Sequence, residues 1–334
     1  MTKIKIGIIG TGIMANIYSK IISQRTDCEL ICVTGNSEIN SKKFGKEFGI
    51  KFYYNSEYDK MMVENPDLNA IIITTPEWVR IEPVKSAIKY KKHILLEKPF
   101  AKSKEDAEYL YSLLKNYDKI FEICHVLRYS PRFQALKYSI DQGKIGEIRH
   151  IYARRNSNNV RVQRVLGKTD LAYWLTPHDI DIMRWITQSE IIEVYAISRN
   201  QLNSIDDYLT INLKFENNVN ALLQISWCTP PLSPTSRDTV FEVWGNKGYL
   251  EVEDYNMNIK LFTENNNVTS FDTYEDYQIN GIHRGYFENL IDNFIRKIKS
   301  NHNSENSLLD AIESIRICDM ISNSINKNGI VSKM

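Results

Sequence analysis

Three short stretches of this sequence combine residue types and spacings that do chemistry. The first is Gly10-Thr11-Gly12-Ile13-Met14-Ala15, a G-x-G-x-x-A turn between the apolar run Ile4 to Ile9 and a helical pattern. There Gly10 permits a tight turn, Gly12 lets backbone amides approach a pyrophosphate, Ala15 allows close helix-sheet packing, and the helix N-terminus favours phosphate charge. These residues point to a dinucleotide; the competing reading is a tight turn with no ligand. The second stretch is Glu97-Lys98-Pro99, directly after a strand ending at Leu96, at the carboxyl edge where open α/β sheets bind ligands. Pro99 restrains Lys98 to extended backbone and so aims its ammonium, with Glu97 placed to pair with it. On these three residues alone a surface lysine in a loop is an equal reading. The third is Thr176-Pro177-His178-Asp179-Ile180-Asp181, which reads as a helix start: Thr176 as N-cap, Pro177 at the first helical position, Asp179 completing a capping box. His178 then lies in the first turn, where the helix dipole disfavours imidazolium and lets the ring exchange a proton with a substrate hydroxyl near neutral pH. Ile182 and Trp185 share its face, so a packed core histidine competes with the catalytic reading.

The cofactor is read from the end of the second strand, where a carboxylate would accept hydrogen bonds from both ribose hydroxyls of NAD. That stretch is Val33-Thr34-Gly35-Asn36-Ser37, with Lys42-Lys43 nearby. No acid repels a 2'-phosphate, so the cofactor is NADP or NAD, with NADP slightly favoured and no arginine to grip the phosphate. The five cysteines are dispersed and contain no Cys-x-x-Cys pair, so free buried thiols are expected and no metal site is indicated.

The elements that must position these residues change character along the chain. Up to about residue 123, short β-branched runs (Ile4-Ile9, Leu30-Val33, Ala70-Thr74, Ile94-Leu96, Ile120-Ile123) alternate with helical stripes. One stripe is Ile13, Ile17, Ile21; another is Ala107, Leu110, Leu114 after a capping box from Ser103 to Asp106. Both helices are expected to face the core. This rhythm predicts a doubly wound parallel Rossmann sheet over residues 1–123. Beyond it, strands such as His150-Arg154, Ile191-Ser198, Tyr208-Phe215, Val219-Ser226, Val240-Trp244 and Tyr249-Val252 follow one another with little helix between. Residues 124–334 therefore read as an α+β domain with a large, mostly antiparallel open sheet, for substrate binding and oligomerisation. The fold class is α/β. At 334 residues, 43% hydrophobic and 25% charged, the composition is that of an ordinary two-domain globular chain. With 42 basic against 41 acidic residues, a net +1, no basic excess advertises nucleic acid. The run Ile4 to Ile9 is too short for a membrane span and lacks the flanks of a signal peptide, so a cytoplasmic protein is expected.

Together these pieces resemble the glucose-fructose oxidoreductase, inositol dehydrogenase and MocA (Gfo/Idh/MocA) family over nearly the whole chain. The glycine turn, Thr75-Pro76, Glu97-Lys98-Pro99, Arg128-Tyr129-Ser130-Pro131, Gly143-Lys144-Ile145-Gly146 and the His178 to Trp185 run carry the resemblance by their order and spacing. It implies an NAD(P)-dependent enzyme moving a hydride to or from a ring hydroxyl or carbonyl carbon of a sugar or cyclitol. In it Lys98 binds the reacting oxygen and His178 is the acid/base. It further implies cofactor contacts at Gly10 to Ala15, Gly35 to Ser37, Thr75, Pro76, Glu97 and Lys98, and substrate contacts at Lys98, Arg128 and His178. Apart from the resemblance, alternating strands such as Tyr208 to Leu213 leave one sheet face needing cover, so a homodimer or homotetramer is expected. Three positions depart from the family pattern: Trp174 stands where an Asp is usual, and Glu77 and Arg80 where Asn and His often follow Thr-Pro. Trp174 offers an apolar face for a sugar ring. The rival readings are a non-catalytic dinucleotide-binding sensor on the same scaffold and a reductase of a non-carbohydrate carbonyl or imine.

Overall fold

The computed structural model describes residues 3–158, 168–200, 206–230, 237–253, 259–262, 268–271, 277–302 and 307–332. Its first twelve strands are β1 (Ile4–Ile9), β2 (Cys28–Thr34), β3 (Lys51–Tyr53), β4 (Ala70–Ile73), β5 (His93–Leu96), β6 (Phe121–Ile123), β7 (Ile148–Asn158), β8 (Ile191–Arg199), β9 (Tyr208–Phe215), β10 (Asn220–Thr229), β11 (Arg237–Gly245) and β12 (Tyr249–Glu253). The α-helices are α1 (Ile13–Ser23), α2 (Glu38–Phe48), α3 (Tyr58–Glu64), α4 (Ile81–Lys89), α5 (Lys104–Leu114), α6 (Pro131–Asp141), α7 (Leu171–Thr187), α8 (Tyr286–Ser300) and α9 (Ser307–Lys327). They form two compact units. One comprises Met1–Val126 with Tyr274–Glu313, the other Leu127–Thr273 with Ser314–Met334.

The first unit holds a parallel six-stranded sheet in the order β3-β2-β1-β4-β5-β6, the doubly wound Rossmann arrangement. β4 and the inner part of β1 and β5 are buried throughout, as strands covered on both faces must be. Strand β3 is not among the strands expected from the sequence, because three residues are too few to show a period. The α1 stripe is also rotated from the expected one. Ala15, Tyr18, Ile21 and Ile22 face the core, whereas Ile13 lies 60% exposed beside the glycine turn. Helix α5 begins as expected, with the Ser103 hydroxyl accepting from the Asp106 amide. The division at residue 123 gives every later residue to the second domain, whereas residues 274–313 pack with the first unit. Helix α8 is the reason: it buries Phe287, Leu290, Ile291, Phe294 and Ile295, sets Phe287 edge-on to Tyr18, and pairs Asp292 with Arg25 at 3.1 Å. A helical stripe says that a helix covers something, and not which sheet it covers.

The second unit holds the sheet β12-β11-β7-β10-β9-β8, closed at its far edge by the short strand Val331–Ser332. Most pairings are antiparallel, but β7 and β10 run parallel. That pair is possible because α7, β8 and β9 lie between them in the chain and supply the crossover a parallel pair needs. Residues alternate across the strands: Ile151, Ala153, Leu209, Ile211, Leu223 and Ile225 are buried, and α7 packs against β7, β9 and β10. Tyr195 and Ile197 on β8, Trp244 on β11 and Tyr249 on β12 are exposed, the last two stacked at 4.4 Å. No helix among the described residues is long and apolar enough to cross a membrane.

Candidate active site

Four loops of the first unit meet at the carboxyl edge of its sheet, after β1, β2, β4 and β5, and they carry the expected cofactor residues. Gly10 donates its amide to the Thr34 carbonyl at 2.8 Å and sits at φ +114°, where a Cβ would lie 2.4 Å from Thr74 Oγ1. Only glycine fits there. At Gly12 the requirement is of a different kind: an added Cβ would meet nothing within 4 Å. Gly12 is the N-cap of α1, which has no side-chain cap and no acid in its first turn. Uncapped amides opening on vacant space are what a pyrophosphate requires, so the turn fits a dinucleotide. Thr11 and Met14 are half-buried and Ala15 is fully buried against the sheet. After β2, Gly35 is buried, Asn36 is exposed, and Ser37 caps α2 through the Asn40 amide at 3.5 Å. After β4, Pro76 is exposed, and the buried Thr75 hydroxyl has no hydrogen-bond partner among the described residues.

Past β5, Lys98 is half-buried and joined to Pro99 by a cis peptide bond. The Glu97 carboxylate turns inward, is 7% exposed, and accepts from the Tyr18 hydroxyl. Burial pushes its pKa up, against the pull of the Tyr18 hydrogen bond and the Lys98 and Arg80 charges. Arg80, one of the departures from the family pattern, is 2% exposed and donates to three backbone carbonyls. Nε bonds Thr75 O at 3.0 Å, Nη1 Pro99 O at 2.5 Å and Nη2 Lys98 O at 3.3 Å. Burial draws its pKa down to about 10, with the Glu97 and Glu77 charges opposing, so it stays a cation at neutral pH.

In the second unit His178 is not at a helix start. Helix α7 begins at Leu171, with Asp170 as the N-cap accepting from the Tyr173 amide at 2.9 Å, and Pro177 lies inside it. His178 is the eighth residue, beyond the first turn to which the dipole effect is confined, so the dipole argument for its titration falls. An interior proline costs about 3 kcal/mol, but α7 buries thirteen of its seventeen residues, and that packing overrides the local signal. His178 and Trp174 are both half-buried and lie one turn apart on one face. Asp179 is no capping residue. It holds Arg155 of β7 through two bonds of 2.6 and 2.8 Å. Two positions on, Asp181 holds Arg128 through bonds of 2.9 and 2.6 Å, and Arg128 lies 5.8 Å from the Trp185 ring centroid. Arg128 is thus tied to the helix that carries His178. Isolated doublets such as Asp179 and Asp181 give no sign in sequence of their distant partners.

Among the described residues no group of three or more His, Cys, Asp or Glu could hold a metal. All five cysteines are free, and only Cys228 is not buried.

Residues 4–125 match the family model for the oxidoreductase family with an NAD-binding Rossmann fold, and residues 133–251 match the GFO/IDH/MocA C-terminal domain. The chain belongs to the Gfo/Idh/MocA family. As a Gfo/Idh/MocA protein it has an NAD-binding first unit, which both readings share, and it belongs to an oxidoreductase family, which supports the enzymatic reading over the sensor. It is 27% identical over 263 residues to an uncharacterised oxidoreductase, YrbE, of Bacillus subtilis, covering 74% of this chain and 73% of that one. It is 24% identical over 253 residues to the 1,5-anhydro-D-fructose reductase of Ensifer adhaerens, covering 73% and 74%. Its fold superposes with a TM-score of 0.82 on the scyllo-inositol dehydrogenase of Lactobacillus casei bound to NAD(H) and scyllo-inositol, at 21% identity and 99% coverage of each chain.

Proposed function

We propose that this protein oxidises a ring hydroxyl of a sugar or cyclitol, or reduces the corresponding carbonyl, with NADP(H) held at least as well as NAD(H). The observation that carries this reading is the carboxyl edge of the first sheet. An uncapped helix start with room at Gly12 lies beside a loop whose lysine has its backbone clamped. Bound nicotinamide supplies or accepts the hydride. Gly10 to Ala15 hold the pyrophosphate; Gly35, Asn36 and Ser37 take the adenosine ribose without repelling a 2'-phosphate; Thr75, Pro76, Glu97 and Lys98 border the nicotinamide end. Lys98 binds the reacting oxygen and stabilises its negative charge, and the His178 imidazole removes or returns the hydroxyl proton. Trp174 gives the ring an apolar face and Arg128 a hydrogen-bonding edge. The 1,5-anhydro-D-fructose reductase and the scyllo-inositol complex support this substrate class. The open face of the second-unit sheet, with Tyr195 and Ile197 exposed, joins subunits into a homodimer or homotetramer.

A thermal-shift panel of NAD, NADP, sugars and cyclitols tests the reading. A ligand at a hundred times its Kd adds about 2.7 kcal/mol, a rise of roughly 4 °C for a chain of this length. NADP is expected to raise the melting temperature at least as far as NAD, and a sugar or cyclitol to raise it further. No shift with either dinucleotide refutes the proposal, and a shift with NAD alone refutes the cofactor preference.

A further inference from the structure

We propose that Arg80 is a positioning residue for Lys98, an inference that rests on the role given to Lys98 above. Its side chain does something unusual for a buried cation: none of its hydrogen bonds described above goes to a carboxylate. Instead Nε, Nη1 and Nη2 reach the carbonyls of Thr75, Pro99 and Lys98, so one planar group ties the loop after β4 to the loop after β5. Lys98 is held by its own carbonyl, next to the Cα from which its ammonium is aimed. Glu97 and Glu77, both buried, balance the charge.

Packing alone does not require this arrangement. A buried cation carries a desolvation cost of several kcal/mol, and an apolar side chain of similar volume fills space without it. What an apolar residue lacks is the fork of donors, rigid in its own plane, that fixes several acceptors relative to one another. Lysine lacks it too, since a single ammonium on a flexible stem fixes no plane. A hydride acceptor or donor requires its oxygen partner to be placed within a fraction of an ångström, and small displacements of a positioning group cost up to a hundredfold in rate. The fork at Arg80 supplies that placement for Lys98.

The test compares full-length wild type, Arg80→Lys and Arg80→Met with NADPH bound. Arg80→Lys keeps the charge beside Glu77 and Glu97, so it remains informative if Arg80→Met fails to fold. Hydrogen exchange by mass spectrometry is expected to rise at least about tenfold in peptides spanning residues 98–101 of Arg80→Lys, with β1 peptides unchanged. Unchanged exchange at 98–101 overturns the proposal. With myo-inositol or scyllo-inositol plus NADP+, and 1,5-anhydro-D-fructose plus NADPH, as probes, kcat is expected to fall about tenfold or more, the dinucleotide KM to hold within about twofold, and the deuterium isotope effect on kcat to rise. A kcat that falls only with the folded fraction, at an unchanged isotope effect, also overturns it. Lys98→Met is the control: if it retains turnover, the role of Lys98 fails while the exchange result still decides whether Arg80 holds the loop. If no probe turns over, the exchange result decides alone.

Discussion

Removing Asp179 probes the frame that holds His178. The Asp179 side chain is 1% exposed and its partner Arg155 10%, and the two share bonds of 2.6 and 2.8 Å in bidentate geometry. Asp179→Ala leaves a buried guanidinium without its carboxylate, for which the cost is about 3 to 5 kcal/mol. Asp179→Asn keeps the shape and loses the charge, so most of the cost should remain. Asp181→Ala is the internal comparison: Arg128 is 22% exposed, water recovers part of the loss, and the penalty should be smaller. Urea unfolding followed by tryptophan fluorescence suits the test, because Trp174, Trp185, Trp227 and Trp244 lie in the second unit and only Trp78 in the first. At an m-value of about 2 kcal/mol/M the midpoint should fall by roughly 1.5 to 2.5 M. A shift below about 0.5 M, or an equal shift for Asp181→Ala, refutes the reasoning.

Three further outcomes follow from the same geometry. Gly12→Ala should leave the melting temperature nearly unchanged and weaken dinucleotide binding at least about tenfold, whereas Gly10→Ala, strained at φ +114° and crowded by Thr74, should destabilise the fold by about 1 to 3 kcal/mol; fluorescence titration and thermal melts separate the two. His93 accepts the Ile120 amide at Nδ1, and burial first, then the Lys119 charge, lowers its pKa from 6.5 to about 4. The unfolded chain therefore binds the proton first, and stability should fall as pH drops from about 6.5 to about 4, by about 1 to 2 kcal/mol after screening at a part-buried group. His93→Gln should flatten melts over that window, and an unchanged pH dependence contradicts the assignment. Light scattering should return a dimer or tetramer; a 38.9 kDa particle across micromolar concentrations contradicts the open-face contact.

The parts of the fold legible in sequence were those written locally. The glycine turn, the β-branched runs and the Ser103 cap each lie within a few residues, and the first sheet follows from their order. What was not legible depends on distant partners. Pro177 looked like a helix start because its local preference is strong, yet α7 runs through it on the strength of thirteen buried residues. Helix α8 lies among residues that the sequence assigns to the second domain, and nothing local shows that Tyr18 and Arg25 are what it covers. Lys98 was visible as a lysine after a strand. The arginine that holds its backbone lies eighteen residues earlier, and no spacing rule connects them.

The central claim is that Lys98 and His178 serve one hydride transfer from a ring carbon. It is tested most directly by the turnover of wild type, Lys98→Met, His178→Asn and the double variant on the same sugar or cyclitol with NADP. Each single variant should lose about a hundredfold or more in kcat at nearly unchanged dinucleotide affinity, and the double variant should lose far less than the product of the two. Wild-type turnover in either single variant contradicts the account.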